Sequence, residues 1–183
     1  MQEDLERILF NERTILRRIE ELAAEITAEY KGRELTVIAL LNGSLIFAAD
    51  LLRRIPLPLK LDCLSVASYH GRATTNGEVV FRQLALPDVT GRHIVILDDV
   101  LDSGVTLAAI CDKLKTERPL SVKVCVLLRK LKPRISPFEA DYVGCNIGDE
   151  FVVGYGLDYM ERYRNLPCIG VLRKRKIVPF PPA

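Results

Sequence analysis

The stretch of residues 93–107 constrains the fold more than any other part of the chain. It opens with four consecutive apolar residues, Ile94 to Leu97, which have the length and composition of a buried parallel strand. Two adjacent carboxylates, Asp98 and Asp99, follow this strand, and the short polar segment 102–106 turns the chain. From the end of that segment, apolar residues recur at spacings of three and four, which is typical of a helix. The stretch therefore predicts a strand, an acidic tip, a small polar loop and a helix N-terminus.

The polar loop has the features of an anion-binding site. Its backbone N–H groups and the hydroxyls of Ser103 and Thr106 can donate to an anion, and a helix N-terminus also favours negative charge. The nearby carboxylates would repel such an anion unless they accept hydrogen bonds from sugar hydroxyls or hold a divalent cation. A phosphorylated sugar satisfies the loop and the carboxylates together.

Further segments repeat the order of strand, turn and helix. Residues 35–41 are apolar and lead through Asn42-Gly43-Ser44 into a helical pattern over 45–54. Long apolar strands follow over 59–69 and 121–128, and the second of them leads into Lys130. This alternation predicts an α/β fold: an open, mainly parallel twisted sheet with helices on both faces. In such sheets, ligands bind at the carboxyl ends of the strands.

The two ends of the chain do not continue the alternation. We expect one domain over residues 1–183, with a core over about 33–140. A small hood over the sheet is expected from about residues 1–12 and 145–183. Asn11 is placed to cap a first helix. Residues 70–78 lack apolar periodicity and predict a long loop between strands, of the kind that often acts as a lid.

Composition excludes several classes of partner. The formal net charge of +2 gives no reason to expect nucleic acid, and the basic run Arg173 to Lys176 is most simply a solvated tail. No apolar run approaches the ~20 residues that span a bilayer, and the acidic N-terminus lacks a signal-type apolar region. Five scattered cysteines without a Cys-x-x-Cys pair predict free thiols in a reducing cytoplasm.

With these motifs in place, most of the chain resembles the purine phosphoribosyltransferases of the hypoxanthine–guanine type. Residues 94–107 look like the signature that binds phosphoribosyl pyrophosphate, and 40–44 resemble the pyrophosphate loop. Ser68-Tyr69 resemble the start of the flexible catalytic loop. Residues 151–159, with Arg164 after them, resemble the purine-binding hood segment.

The resemblance implies the type I phosphoribosyltransferase fold and a reaction. The 5-phosphoribosyl group passes from phosphoribosyl pyrophosphate to N9 of a 6-oxopurine, giving IMP or GMP and pyrophosphate, with Mg²⁺ on the pyrophosphate. Asp98 and Asp99 would accept hydrogen bonds from the ribose hydroxyls, and Asp102 would be the general base near purine N7. The 5′-phosphate would be bound by the loop itself, namely Asp102, Ser103, Gly104, Val105 and Thr106.

The remaining implied roles concern pyrophosphate, purine and metal. Pyrophosphate would contact Asn42, Gly43 and Arg164. The purine would contact Lys130, Phe151, Val152 and Asp158. Asp158 would reach Mg²⁺ through water, with Asp98 and Asp99 as indirect metal partners. The family is usually dimeric or tetrameric, which implies a homodimer or homotetramer.

Two positions depart from the family pattern. Asn42 stands where many members carry a basic residue before Gly43, which removes a charge from the pyrophosphate loop. Val105 replaces a lysine or other polar residue of the phosphate loop, although its backbone amide remains available.

Two other functions compete with the enzyme. A non-catalytic nucleotide-sensing regulator on the same fold would often lose catalytic-loop residues and gain a basic face, whereas Asp102 and Lys130 are present and the charge is near neutral. A receiver-like signalling domain fits the paired aspartates alone. Lys130 favours a 6-oxopurine over adenine because an ammonium can only donate, and the choice among hypoxanthine, guanine and xanthine stays open.

Overall fold

A computed structural model describes residues 1–67, 80–81 and 87–177. The helices are α1 (Glu12–Glu29), α2 (Leu45–Leu52) and α3 (Val105–Lys115), with short 3₁₀ turns at Gln2–Asp4 and Lys174–Lys176. The strands are β1 (Leu5–Phe10), β2 (Leu35–Leu41), β3 (Leu59–Ala67), β4 (Val80–Phe81), β5 (His93–Leu101), β6 (Ser121–Lys130), β7 (Tyr142–Ile147), β8 (Val152–Val153) and β9 (Ile169–Leu172).

Six strands form a central sheet in the order β4-β3-β2-β5-β6-β7. The five neighbouring strands β3, β2, β5, β6 and β7 are parallel. The two-residue strand β4 pairs antiparallel with β3. Apolar side chains of α1 and α2, such as Ile19 and Phe47, pack on one face, while Ile110 of α3 packs on the other. The predicted doubly wound α/β architecture is confirmed.

Strand β5 is longer than its apolar run predicts. It continues through Asp98 and Asp99 to Leu101, because β6 also extends beyond residue 128 and offers a partner. Val100 pairs with Leu128, and Leu101 pairs with Arg129. The expectation that the strand ends before the carboxylates is wrong: they lie within the hydrogen-bonded ladder, whose backbone fixes their position.

The ends of the chain form a second sheet in the order β1-β9-β8, called the hood sheet below. Leu5 pairs with Leu172, and Val152 pairs with Val171, so a strand near the start of the chain joins two later strands in one antiparallel sheet. The predicted hood of N- and C-terminal segments is therefore confirmed as part of the fold. Helix α1 packs on the central sheet, where its side chains join the larger core.

Asn11 caps helix α1 as predicted: its side-chain oxygen accepts a hydrogen bond from the Thr14 backbone N–H at 2.9 Å. The predicted loop over 70–78 lies outside the described residues. Within the described ranges, no helix combines the length and apolar character needed to cross a membrane.

Candidate functional site

The carboxyl ends of β2, β5 and β6 bring together most of the predicted site residues. Residues 42–44 follow β2, and the loop 102–104 joins β5 to α3. Lys130 is the last residue of β6. Because parallel strands place their carboxyl ends at one edge of the sheet, these segments share one side of the molecule.

The loop before α3 has a geometry suited to anion binding. Gly104 adopts a left-handed conformation (φ 76°) at the start of the helix, and Ala108 donates the first helical hydrogen bond to its carbonyl. The Val105 backbone N–H lies 3.4 Å from Ser103 Oγ. Ser136 donates its backbone N–H to the Ser103 carbonyl at 3.1 Å, so the segment after β6 is hydrogen-bonded to this loop and helps to fix its position.

Gly104 also allows a close approach that a side chain would obstruct. A Cβ at this position would lie 3.2 Å from Phe138 Cβ and 3.3 Å from the Ser136 carbonyl oxygen. Val105 and Thr106, the other predicted phosphate contacts, form the first turn of α3 and are half-buried. The loop therefore keeps backbone donors at a helix N-terminus, as the sequence predicts.

Gly43 lies directly against one of the acidic residues. A Cβ at Gly43 would come 1.8 Å from Asp99 Oδ2, so only glycine leaves room for this carboxylate. On its other side, the Gly43 carbonyl oxygen would lie 2.1 Å from a Cβ at Gly156. The turn after β2, the acidic end of β5 and the turn after β8 thus converge. The peptide bond between Leu41 and Asn42 is cis.

Arg164 and Asp158 form an ion pair beside that convergence. Arg164 Nη2 lies 2.9 Å from Asp158 Oδ1, and Nη1 donates to the Gly156 carbonyl at 2.8 Å. The other oxygen of Asp158 accepts the Glu161 backbone N–H at 2.8 Å. Two residues predicted to act on pyrophosphate and metal therefore lie together, next to the turn that contacts Gly43.

The adjacent aspartates on β5 have an unusual electrostatic setting. Burial, followed by the negative charge of Asp99, raises the pKa of Asp98 well above its ordinary value. Asp98 Oδ1 accepts the Asp99 backbone N–H at 3.0 Å, which partly offsets this effect. A hydroxyl-bearing ligand or a cation would relieve the repulsion between two such carboxylates.

Asp102 has the opposite setting. Its Oδ2 lies 3.0 Å from Lys130 Nζ, and its Oδ1 lies 2.7 Å from Lys132 Nζ. Burial acts to raise the pKa of Asp102, but the hydrogen bonds from Lys132 and Lys130 outweigh it and hold that pKa below its ordinary value. The predicted proton acceptor is therefore ionised and directly contacts the lysine that is predicted to recognise the purine.

The sequence analysis did not identify two members of this cluster, Lys132 and Asp149. Asp149 Oδ1 lies 2.7 Å from Lys132 Nζ and 3.5 Å from Lys130 Nζ, which closes a ring of two carboxylates and two ammonium groups. The signal that could have revealed Lys132 is its spacing of two from Lys130, which directs both side chains to one side of an extended segment.

Two of the predicted purine contacts, Phe151 and Val152, lie at the edge of the hood sheet. Phe151 packs edge-to-face on Tyr159, with ring centroids 5.6 Å apart and an interplanar angle of 89°. Val152 is buried and pairs with Val171 in the ladder. Asp149, two residues before Phe151, connects this segment to Lys130 through the ion pair described above. Ser68 and Tyr69 lie outside the described residues.

The acidic residues also bear on metal binding. Among the residues that the structure describes, no group of three or more His, Cys, Asp or Glu side chains is arranged to enclose a metal ion. Carboxylate pairs still fit Mg²⁺, which is commonly bound through one or two carboxylates together with substrate phosphates and water. Asp98, Asp99 and Asp158 supply oxygen donors of this kind.

Comparisons with known proteins agree with this geometry. The model of the phosphoribosyl transferase domain matches residues 7–160. The hypoxanthine-guanine phosphoribosyltransferase of Bacillus subtilis (strain 168) is 42% identical over 173 residues, which cover 94% of this chain and 96% of that protein. A crystal structure of a hypoxanthine phosphoribosyltransferase from Staphylococcus aureus superposes with a TM-score of 0.90 at 40% identity, covering 96% of this chain and 95% of that one.

A longer relative matches as well. The bifunctional protein TilS/HprT of Listeria innocua is 44% identical over 173 residues, which cover 94% of this chain. This chain spans only 27% of the length of that relative.

Proposed function

The chain belongs to the phosphoribosyl transferase family, and from that premise we propose that it is a hypoxanthine-guanine phosphoribosyltransferase of purine salvage. A relative of that name matches 94% of this chain at 42% identity. The observation that carries the proposal is the contact between Asp102 and Lys130, at 3.0 Å, beside the anion-binding loop. It brings a proton acceptor next to a cation that can recognise a 6-oxo group. We propose that residues 1–183 act as one transferase unit.

The proposed reaction moves one proton and exchanges two bonds. Purine N9 attacks C1 of the ribose, the C1–oxygen bond to pyrophosphate breaks, and its electron pair leaves with the pyrophosphate. Asp102 takes the proton from N7 of the purine, so the base becomes neutral as the new bond forms. In the reverse direction, the protonated Asp102 returns the proton to N7.

The sugar and its phosphate are assigned to the end of β5 and the loop after it. Asp98 and Asp99 accept hydrogen bonds from the ribose hydroxyls and orient the ring where positive charge develops. Ser103 and Thr106 contribute hydroxyls to the 5′-phosphate, and Gly104 and Val105 contribute backbone N–H groups. The crowding of Gly43 against Asp99 supports this assignment, because the turn proposed to bind pyrophosphate lies beside a carboxylate proposed to bind the sugar.

The purine is assigned to Lys130 and the start of the hood segment. Lys130 donates to the 6-oxo group, Phe151 stacks on the base, and Val152 reads the purine edge through its backbone. This assignment excludes adenine, which presents a 6-amino donor to the ammonium, and it leaves the 2-position to backbone groups. A competition assay with hypoxanthine, guanine, xanthine and adenine measures the preference directly.

We propose Mg²⁺ as the cofactor, held by Asp158 through water and indirectly by Asp98 and Asp99. The ion would neutralise charge on the pyrophosphate of the substrate, where Asn42, Gly43 and Arg164 also donate.

Ser68 and Tyr69 are assigned to a loop that excludes water. The substrates and products are phosphoribosyl pyrophosphate, a purine base, a purine nucleotide and pyrophosphate. We further propose a homodimer or homotetramer, without nucleic-acid or membrane partners. Five free cysteines favour a cytoplasmic location.

The test is direct. Purified protein with Mg²⁺, phosphoribosyl pyrophosphate and hypoxanthine is expected to form inosine monophosphate, whereas omission of Mg²⁺ should abolish turnover. Asp102→Asn should lower the forward rate by about 10²- to 10⁴-fold, the usual contribution of a general base, while the circular dichroism spectrum stays unchanged. A near-normal rate in this variant would refute the role of Asp102.

The rival regulator makes a different prediction. It would bind nucleic acid in a strongly salt-dependent way and would show no turnover in the same assay. The cluster of Asp102 with two lysines favours the enzyme, because a purely nucleotide-sensing protein has no need of an ionised proton acceptor beside the purine contact.

A further inference from the structure

Lys132 has not been assigned a substrate contact or a catalytic step, although it makes the shorter of the two lysine contacts with Asp102. Its Nζ lies 2.7 Å from Asp102 Oδ1, compared with 3.0 Å from Lys130 Nζ to Oδ2. Its side chain is 27% exposed and that of Lys130 is 12% exposed, so both ion pairs are partly shielded from water. Partly buried pairs of this kind are stronger than pairs at an open surface.

The two lysines cannot serve Asp102 equally once a purine is bound. Under the proposed function, Lys130 turns its ammonium toward the 6-oxo group of the base. Lys132 follows the end of β6 and remains on the opposite oxygen of the carboxylate. It is then the cation that keeps Asp102 charged and directed toward N7.

We propose that Lys132 is a positioning residue for the reaction, which holds the Asp102 carboxylate in its ionised, aligned state while Lys130 engages the purine. This inference rests on the proposed function. Asp149 opposes this effect, because its Oδ1 accepts a hydrogen bond from Lys132 Nζ at 2.7 Å and so competes with Asp102 for the same ammonium.

The charged surroundings of Asp102 come from three parts of the fold. Lys130 and Lys132 face it from the end of β6, and Asp149 approaches from the segment before β8. Asp98 and Asp99 lie upstream, on the strand β5 that leads into the loop of Asp102. Three further charged groups, Arg129, Arg134 and Glu139, line the same cavity of about 520 Å³ as the lysines, and their ion pairs are with one another.

These surroundings fix the sign of the pH effect. The lysine contacts lower the pKa of Asp102 against the opposing effect of burial. Removing the Lys132 charge therefore raises that pKa, and the variant needs a higher pH to keep Asp102 in its basic form. Removing the Asp149 charge frees Lys132 for Asp102 and acts in the opposite direction.

The experiment compares pH profiles of forward kcat/KM for Lys132→Met, Lys132→Arg and Asp149→Asn. At the acidic end of the profile, the kcat/KM of Lys132→Met should be about three- to tenfold lower than that of the wild type. The difference should shrink toward the alkaline end. Lys132→Arg keeps the charge and should restore most of the activity at acidic pH. At acidic pH, the kcat/KM of Asp149→Asn should equal or exceed that of the wild type.

The matched control is Lys115→Met, which removes an exposed lysine whose ion-pair partner is Asp112 at 3.4 Å, at the far end of α3. Its profile should coincide with that of the wild type. If Lys132→Met lowers kcat/KM by the same factor at every pH, or leaves the profile unchanged, the positioning role is refuted while the proposed function stands.

A second measurement does not depend on turnover. Titration of the Asp102 carboxyl carbon by ¹³C NMR in the ligand-free protein should show a higher pKa in Lys132→Met than in the wild type. Absence of nucleotide formation by the wild type would refute the proposed function. An unchanged Asp102 titration in Lys132→Met would refute the Lys132 inference by itself.

Discussion

At the level of single residues, the site separates its carboxylates by their surroundings. Burial and a neighbouring negative charge raise the pKa of Asp98, whereas two lysines hold that of Asp102 below its ordinary value. Nearby carboxyl groups whose pKa values are shifted in opposite directions commonly have different chemical roles in a site. Here they suit Asp98 to sharing hydrogen bonds with sugar hydroxyls and Asp102 to accepting a proton.

Gly43 provides a residue-scale test of how the proposed sugar and pyrophosphate sites meet. In Gly43→Ala, the new Cβ would lie 1.8 Å from Asp99 Oδ2, so the carboxylate must rotate away. Misplacing a substrate-positioning group commonly costs tenfold or more, and we expect the KM for phosphoribosyl pyrophosphate to rise by about tenfold. Steady-state kinetics measure this change.

The control for Gly43→Ala is the unfolding free energy of the same variant. It should stay within about 1 kcal/mol of the wild type, because the displaced group is the end of a side chain. A normal KM would mean that Asp99 does not hold the sugar in the orientation proposed here. A large loss of stability would mean that the contact serves the fold instead.

The sequence predicted some site residues better than others, for a physical reason. Asp98, Asp99 and the loop 102–106 are continuous with a strong strand and helix pattern, so their placement follows from local structure. Lys132 and Asp149 lie in segments without periodicity, and their role depends on two distant segments meeting. A lysine after a strand end is ordinarily solvated, and only the tertiary contact distinguishes it.

At the level of elements, the ends of strands depend on their neighbours more than on their own residues. The apolar run of β5 ends at Leu97, yet the strand continues to Leu101 because β6 supplies backbone partners. Helix α1 behaves differently, since its start is encoded locally by Asn11. Local capping was therefore predictable from sequence, and the shared extension of two parallel strands was not.

The cap of α1 gives the element-scale prediction. In Asn11→Ala, the Thr14 backbone N–H loses its acceptor at 2.9 Å, and helix caps of this kind contribute about 1 kcal/mol. We expect that loss in the free energy of unfolding measured by urea denaturation, with an unchanged slope. Asn11→Ser should recover most of it, because serine also caps well.

The comparison variant is Gln2→Ala, an exposed position in the first 3₁₀ turn, which should change stability by less than about 0.5 kcal/mol. Equal effects of Asn11→Ala and Gln2→Ala would show that the cap does not stabilise α1. Catalytic rates should be unaffected by either change, since neither Asn11 nor Gln2 is among the residues proposed to contact the substrates.

At the level of the whole molecule, the hood sheet and the central sheet are joined by contacts near the site. Gly156 packs against the Gly43 carbonyl, and the buried Tyr155 beside it donates its hydroxyl to Asp50 of α2. The proposed binding of sugar, pyrophosphate and purine by residues from both sheets requires that the two sheets keep a fixed distance. The sequence predicted a hood from its terminal segments, but the residues that fasten it follow only from the tertiary structure.

Tyr155 provides the test of that attachment. Burial, together with the hydrogen bond to Asp50, raises the pKa of Tyr155 above its ordinary value. The folded protein therefore keeps the phenolic proton at pH values where the unfolded chain loses it. This contribution to stability is complete below the unfolded-state pKa of about 10 and is lost as the pH rises beyond it. The wild type should consequently lose stability between about pH 9 and pH 11.

Tyr155→Phe should lower the free energy of unfolding by about 1 kcal/mol near neutral pH, because Asp50 loses this hydrogen bond but keeps its ion pairs with Arg53 and Arg54. Its stability should then fall less steeply than that of the wild type in the alkaline range. Tyr163→Phe is the matched control: its hydroxyl contacts Asp4 at 3.1 Å, a bond between two segments of the hood region that does not reach the central sheet. If the two variants lose equal stability near neutral pH, the bond from Tyr155 to α2 has no special part in holding the hood on the central sheet. A larger loss for Tyr155→Phe would identify its hydrogen bond to Asp50 as one of the contacts that hold the hood on the central sheet, because this bond reaches α2 and the Tyr163 bond does not.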